Sequence, residues 1–321
     1  MKLGVYLQNY QRKFLMKNKK ITIATNERSN MIAFLKGNYH LTTDHYYTHF
    51  GEHHSSNFDV FLQFDGPNPY ALNSNVKTFG MDRYTKKEQA LILDKLGINH
   101  PPSLISETVD RHEDFYIFSL SDKPNTKYVV KSNDGARGVG TFLISKDHFY
   151  TFLEDSDESE DVLSSEDFCK KYKAAGAYNN DGEYSFAKSS IKDRKFVVQE
   201  LEDIVSEYRV IAGYGNSNPI VYERKIDRKV SWMANSSIQG EGVHIENIGN
   251  EMYVAASLLI KKLFDEFETP FICFDMYENS KGEIGILEFQ MQMGYRYINK
   301  DRLVNVIREG VYNLLKKKKV I

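Results

Sequence analysis

The chain has 321 residues and a formal net charge of −2 at pH 7, from 42 Lys and Arg against 44 Asp and Glu. This length predicts about two domains, and a hydrophobic content of 41 % excludes wholesale disorder. The near-zero charge disfavours general nucleic-acid binding, and the 2 cysteines exclude a disulfide framework. No apolar run reaches the length of a membrane span, and the N-terminus is unlike a secretory signal, so we expect a soluble cytoplasmic protein with no membrane partner.

The predicted elements begin with short apolar runs that alternate with a helix-like one, which is typical of a small α/β unit. A clear helix follows at 85–97, with Ala90, Leu91, Leu93 and Leu96 mostly on one side and Gly97 at its C-terminus. Beyond it, strand-like runs dominate, and a hairpin at 271–290 turns at Asn279–Gly282. The remaining predicted strands are 3–8, 20–25, 58–64, 116–120, 127–132, 140–145, 195–201, 207–215 and 219–226, and the remaining helices are 26–37, 249–267 and 301–319.

Two polar stretches are predicted to lie on the surface. Residues 154–167 contain many acids and no base. Five histidines fall within 40–54, but their spacing matches no standard ligand pattern, so a solvated loop is favoured over a metal site or a partner contact.

A glycine-rich loop joins the predicted strands 127–132 and 140–145. Its glycines have the spacing G-x-x-G-x-G, unlike the dinucleotide fingerprint or the P-loop, and Lys131 ends the first strand. Glycines allow backbone N–H groups to approach anionic oxygens, so the loop could cover phosphates. The alternative is an ordinary mobile turn with an exposed lysine. The glycines are Gly135, Gly138 and Gly140.

Acidic and amide side chains converge in the predicted hairpin. Alternation along a strand places Glu288 and Gln290 on one side. A four-residue turn would set Ile286 opposite Asp275, so that Asp275 shares their face, one diagonal from Glu288. Such a cluster is costly without a cation, and hard oxygen donors beside phosphates favour Mg²⁺. The alternative is a pair of edge carboxylates in water.

Taken in order along the chain, these features resemble the ATP-grasp superfamily, most closely the ligases similar to the ribosomal-protein glutamate ligase and glutathione synthetase. The resemblance covers about residues 80–298. It includes the Thr85-Lys86 helix start, the Lys131 strand with its glycine loop, FVVQELE at 196–202, Arg209 in EYRVIAG, Asn235 before Gly240 and Gly242, and the Asp275…Glu288-Phe289-Gln290 hairpin.

The resemblance implies a mixed α+β and α/β architecture, the ATP-grasp fold. An N-terminal α/β domain would span 1–84, and an ATP-grasp domain would span 85–321. Within the latter, a small lid subdomain (85–200) carries the glycine loop and the acidic insertion, and a large metal-binding subdomain spans 201–321. The two subdomains would clasp ATP between them.

The resemblance also implies a role for each matching residue. Lys86 and Lys131 would neutralise phosphate oxygens, with Lys87 as the alternative to Lys86. Arg209 would hold the γ-phosphate, the alternative being a surface ion pair with Glu207. Gln199, Glu200 and Leu201 would contact adenine, and Glu202 or Asp203 would contact the ribose. Arg224 and Asn235 would contact the transferring group. Asp275, Glu288 and Gln290 would bind the metal, although the family usually has Asn at the position of Gln290.

The implied activity is ATP-dependent carboxylate–amine ligation that forms an amide bond through an acyl phosphate and releases ADP and phosphate. The cofactors would be ATP and two Mg²⁺ ions, with Mn²⁺ as an alternative. The substrates would be a carboxylate and an amine, each a small molecule, a peptide or a protein. The alternatives are a kinase built from the same parts and a non-catalytic nucleotide-binding protein.

Overall fold

The computed structural model describes most of the second half of the chain and parts of the first. The described residues are 23–25, 60–64, 77–105, 126–133, 141–145, 177–178, 184–185, 196–216, 218–224, 250–291 and 298–320. Several predictions lie outside these residues, namely the strands at 3–8 and 116–120, the helix at 26–37, the histidine-rich and acidic stretches, and the site residues Gly135, Gly138, Gly140 and Asn235.

The first part of the chain contributes a three-stranded parallel sheet in the order β1 (Ile23–Thr25), β2 (Val60–Phe64), β3 (Lys77–Met81). The first two strands were predicted, and the third was not. Strand β3 contains Gly80 at φ 126°, where an added Cβ would lie 1.9 Å from the Gln63 carbonyl oxygen. This close approach explains a glycine in the middle of a strand, which weakens the strand pattern in the sequence.

Helix α1 (Lys86–Lys95) follows directly and lies within the predicted range of 85–97. Thr85 and Glu88 form a reciprocal capping box at its start, and Gly97, at φ 57°, follows its last turn. The predicted apolar face is partly wrong, because Leu91 is 51 % exposed and Gln89 is only 8 % exposed. A polar side chain therefore takes an inward position on this helix.

A second, antiparallel sheet lies beside α1. Its order is β4 (Ser103–Ile105), β9 (Phe196–Glu200), β5 (Lys127–Ser132), β6 (Thr141–Ser145). A separate two-stranded pair consists of β7 (Ala177–Tyr178) and β8 (Tyr184–Ser185). Strands β4, β7 and β8 have only two or three residues each, too few for a period to show in the sequence, and they were not predicted.

The third sheet is antiparallel and forms the centre of the core. Its order is β11 (Ile220–Arg224), β10 (Ile204–Gly213), β12 (Phe271–Asn279), β13 (Ile284–Gln290). Helices α2 (Asn250–Glu266) and α3 (Lys300–Lys317) add apolar side chains to the same core, and β12 is buried along almost its whole length. Cys273, in β12, is a free cysteine buried in this core, where it packs as a small hydrophobic residue. Among the described helices, none is long and apolar enough to cross a membrane.

The packing of α3 against the third sheet leads to a prediction about stability. Gly310 lies in the helix interior, and a Cβ there would be 1.9 Å from the Pro270 carbonyl oxygen. We expect Gly310→Ala to lower the free energy of unfolding by about 1–3 kcal/mol, because helix and sheet must move apart. Denaturant unfolding would measure this change. Asn305→Ala, at an exposed position of the same helix, is the control and should change stability by about 0.5 kcal/mol or less. Equal stability of both variants would contradict the close packing.

Candidate functional site

Two carboxylates face each other across the hairpin of β12 and β13. Asp275 is directly opposite Glu288, and Cys273 is opposite Gln290, so Glu288 and Gln290 share one face with Asp275. The predicted register was wrong, since Ile286 lies opposite Met276.

The register differs from the prediction for two local reasons. The turn is one residue longer than expected, because Glu278 pairs with Ile284, and Asn279 closes it by donating to the Glu283 carbonyl oxygen at 3.0 Å. An irregularity between Asp275 and Met276 then leaves Leu287 as an extra residue in β13. Together they bring the two carboxylates directly opposite rather than diagonal.

Two arginines surround Asp275. Arg209 is opposite it on β10 and donates two hydrogen bonds, from Nε at 2.8 Å and from Nη2 at 2.9 Å. Arg224, on β11, donates from Nη2 to the Oδ1 atom of Asp275 at 3.0 Å. A bidentate guanidinium–carboxylate pair is among the stronger polar contacts in proteins. The alternative reading of Arg209 as a surface partner of Glu207 does not fit, because Arg209 is largely buried and paired with Asp275.

Lys86 approaches Glu288 from the first turn of α1. Its Nζ donates to the Oε2 atom of Glu288, and this charge lowers the pKa of Glu288 to about 2. Lys86 therefore reaches the hairpin from the start of the helix. The backbone N–H of Lys87 donates to the Asn133 side chain at 3.0 Å.

Lys131 lies at the end of β5, beside a small cavity between α1, the second sheet and β13. Burial lowers the pKa of Lys131 to about 8, and the positive charge of Lys86 acts in the same direction. Burial also raises the pKa of Asp275 to about 6, although Arg209 favours its charged form. The cavity is lined by Lys86, Gln89, Ala90, Leu93, His100, Lys131, Gln199 and Leu287.

The start of the glycine loop is attached to α1 by a residue that sequence reasoning missed. The Asn133 carbonyl oxygen accepts from the Lys86 backbone N–H at 3.0 Å, and its side chain accepts from Lys87. Asn133 thus satisfies two of the N–H groups that a helix start leaves without intrahelical partners. In the sequence, Asn133 stands out as an asparagine just before a glycine-rich loop. The helix whose start it caps lies more than 30 residues earlier in the chain, so the sequence does not connect the two.

The segment between β9 and β10 connects the second and third sheets. The Gln199 side chain is buried and donates to the Ser103 hydroxyl at 2.8 Å, while its Oε1 atom has no donor among the described residues. The backbone N–H groups of Glu200 and Leu201 donate to Pro102 and Lys127. Glu202 accepts from the Asn279 side chain at 2.7 Å, which ties this segment to the hairpin turn.

The comparisons with known proteins bear on the fold. No protein-family model matches the sequence, and a search of the curated proteins finds no match. Solved structures do match. N5-carboxyaminoimidazole synthetase from Staphylococcus aureus, complexed with ADP, superimposes on 80 % of this chain with a TM-score of 0.51 and 12 % identity. D-alanine–D-alanine ligase from Bacillus anthracis, complexed with ATP, superimposes on 91 % of it with a TM-score of 0.50 and 13 % identity.

Both of these solved structures are ATP-grasp proteins. The chain has the ATP-grasp fold. The predicted fold class is therefore confirmed. The chain spans 61 % of the length of the staphylococcal synthetase and 86 % of that of the ligase. A third ATP-grasp structure, N5-carboxyaminoimidazole synthase from Aspergillus clavatus with ADP and 5-aminoimidazole ribonucleotide, matches 85 % of this chain and 70 % of its own, with a TM-score of 0.50 and 14 % identity.

Proposed function

We propose that the protein is an ATP- and Mg²⁺-dependent carboxylate–amine ligase, forming an amide through an acyl phosphate. The observation that carries the proposal is the convergence of three elements on one acidic pair. Helix α1 brings Lys86 to Glu288, and strands β10 and β11 bring Arg209 and Arg224 to Asp275, within the ATP-grasp fold. The solved structures with this fold include proteins bound to ATP or ADP, which supports a nucleotide as ligand.

The proposed nucleotide site lies between the second and third sheets, which belong to the subdomains proposed at 85–200 and 201–321. Lys86 and Lys131 would bind phosphate oxygens beside the cavity. The buried Gln199 Oε1 atom, which lacks a donor among the described residues, would accept from the ligand. Since Glu200 and Leu201 already use their N–H groups, their adenine contacts would come from carbonyl oxygens.

The acidic pair and Gln290 fit a magnesium site that phosphates complete. No group of three or more His, Cys, Asp or Glu side chains could hold a metal ion among the described residues. Mg²⁺ commonly takes one or two protein carboxylates together with substrate phosphates, so two carboxylates and an amide oxygen suffice. Asp275, Glu288 and Gln290 would hold it, and it would neutralise charge on the transferred phosphoryl group.

The ion pairs of the site are also compatible with phosphate binding, because the basic side chains could exchange their carboxylate partners for phosphates. In the structure, Asp275 and Glu288 are neutralised by Arg209, Arg224 and Lys86. When phosphates bind these basic side chains and the metal binds the carboxylates, every charge keeps a partner. The exchange avoids leaving a buried ion unpaired, which would be costly.

The proposed chemistry has two steps. An oxygen of the substrate carboxylate attacks the γ-phosphorus of ATP, and the bond to the β-phosphate oxygen breaks, which releases ADP. The amine nitrogen then attacks the acyl carbon, loses a proton and expels phosphate. Arg209 would hold the γ-phosphate and the developing acyl phosphate, and Arg224 and Asn235 would contact the transferring group. Positioned positive charge is the main contribution such a site makes.

Trapping of the acyl group with hydroxylamine tests this proposal. We expect a survey of carboxylates to identify one that, with ATP and Mg²⁺ but without the natural amine, gives ADP and a hydroxamate. Colorimetric detection of the hydroxamate and chromatography of the nucleotide measure the two products. Samples without ATP, without Mg²⁺ or without protein are the controls.

The products also separate the proposal from its alternatives. A kinase acting on a hydroxyl group would give ADP and a stable phosphoester that hydroxylamine does not convert. A binding protein would give no substrate-stimulated ADP. AMP with pyrophosphate would contradict both enzymatic readings, because both require cleavage between the β- and γ-phosphates.

A further inference from the structure

Gln89 joins α1 to the edge strand of the third sheet. Its Oε1 atom accepts a hydrogen bond from the backbone N–H of Phe289 at 3.0 Å, and its Nε2 atom donates to the Tyr84 carbonyl oxygen at 3.1 Å. The side chain is 8 % exposed, so both ends of the amide are satisfied inside the protein.

The hydrogen bond to Phe289 falls between two of the proposed metal ligands, Glu288 and Gln290. Among the described residues, β13 is the last strand of its sheet, so no described strand accepts from the backbone N–H groups on its outer edge. At Phe289 the acceptor is the Gln89 side chain, and at Ile286 it is the Asn99 carbonyl oxygen, at 2.8 Å. The acceptor for the N–H between the two proposed ligands is therefore a single side chain of α1.

Lys86 and Gln89 lie one helical turn apart and so occupy the same side of α1. They contact the consecutive residues Glu288 and Phe289. The helix thereby supplies both the charge that faces Glu288 and a hydrogen-bond acceptor for the next residue of the strand.

Aromatic packing surrounds both hydrogen-bond partners of Gln89, Phe289 and Tyr84. The Phe289 ring lies 6.1 Å from the Tyr84 ring and 5.4 Å from the Phe267 ring, between ring centroids. Tyr84 also supplies the carbonyl oxygen to which Gln89 donates. The Gln89 amide therefore lies between two packed residues and has little freedom to shift.

We propose that Gln89 is a positioning residue, which holds β13 so that Glu288 and Gln290 lie at a constant distance from the Lys86 side chain. This inference rests on the proposed function. Without the acceptor at Gln89, the Phe289 N–H would be buried and unsatisfied, and the strand would have to move or admit water. The metal ligands on either side would move with it.

The test compares three variants by a binding measurement. Gln89→Met has a similar length and loses both hydrogen bonds, Gln89→Glu keeps the acceptor for Phe289, and Leu91→Gln is the control on the exposed side of the same helix. The readout is the Mg²⁺ concentration that half-saturates the rise in melting temperature caused by ATP. We expect it to increase about 10- to 100-fold in Gln89→Met, as for other residues that orient metal ligands, to stay within a few-fold in Gln89→Glu, and to be unchanged in the control.

The outcomes distinguish a positioning role of Gln89 from a merely structural one. An unchanged Mg²⁺ requirement in Gln89→Met, or an equal increase in Gln89→Glu, overturns the positioning role. If Gln89→Met does not fold, Gln89→Asn replaces it, because its shorter arm cannot reach Phe289, and the same expected increase applies. A wild-type protein whose melting temperature does not respond to ATP and Mg²⁺ overturns the proposed function and this inference together. A response in the wild type with no difference among the variants overturns this inference alone.

Discussion

We expect Glu288→Gln to lower turnover by about 100- to 1,000-fold while the protein remains folded. The substitution removes the negative charge that would bind the metal, whereas the amide oxygen can still accept a hydrogen bond from Lys86. Because Lys86 lowers the pKa of Glu288 to about 2, this carboxylate is ionised in the wild type at neutral pH. Hydroxamate formation measures turnover, and circular dichroism and the melting temperature report on the fold.

Gln290→Asn is the matched control for Glu288→Gln. It changes the next side chain on the same face of β13 and keeps an uncharged amide ligand. We expect turnover to be retained or increased, because asparagine is the usual residue in the family that the sequence resembles. Ordinary turnover in Glu288→Gln, with an unaltered dependence on Mg²⁺, would show that this carboxylate does not bind the metal.

The second large effect is expected at Lys131. We expect Lys131→Ala to weaken ATP binding by about 2–3 kcal/mol, which corresponds to roughly 30- to 150-fold in the dissociation constant. The lysine is half-buried beside the cavity, where a phosphate contact is less screened by solvent than at the surface. Adenosine, which has no phosphate, should bind to both proteins equally well.

Isothermal titration calorimetry with ATP and adenosine measures the two affinities. Lys127→Ala is the control. Lys127 lies on the same strand at an exposed position, so its substitution removes the same charge away from the cavity. We expect this control to bind ATP as the wild type does. Equal ATP affinity in Lys131→Ala and the wild type would remove Lys131 from the proposed site, and equal losses for ATP and adenosine would indicate a general disturbance of the fold.

Long and strongly periodic elements were predictable because their signals are local. Helix α1 has its capping box and its terminal glycine within 13 residues of the chain, at 85–97, and α2 and α3 show their apolar repeats within single segments. The shared face of Glu288 and Gln290 follows from alternation along one strand. The order of the motifs along the chain, through its resemblance to a known superfamily, was sufficient for the fold class.

The pairing within the site required the structure. Asp275 and Glu288 are directly opposite because a longer turn and an extra residue at Leu287 together shift the pairing by two residues. A two-residue shift keeps Glu288 on the predicted face of the strand, so it leaves no mark in the hydrophobic pattern. The partner of Arg209 is Asp275 because β10 lies next to β12 in the sheet, although 66 residues separate the two in the chain.

The sequence by itself determined the longer elements, their order and the set of charged residues available to the site. Tertiary structure alone decided which of these groups meet. Helix α1 shows the difference most clearly, because periodicity favours Leu91 for the interior, whereas the structure exposes it and buries Gln89. The physical reason lies outside the helix. The edge of β13 has a backbone N–H that needs an acceptor, and only the packing of α1 against that edge makes a buried glutamine more favourable than a buried leucine.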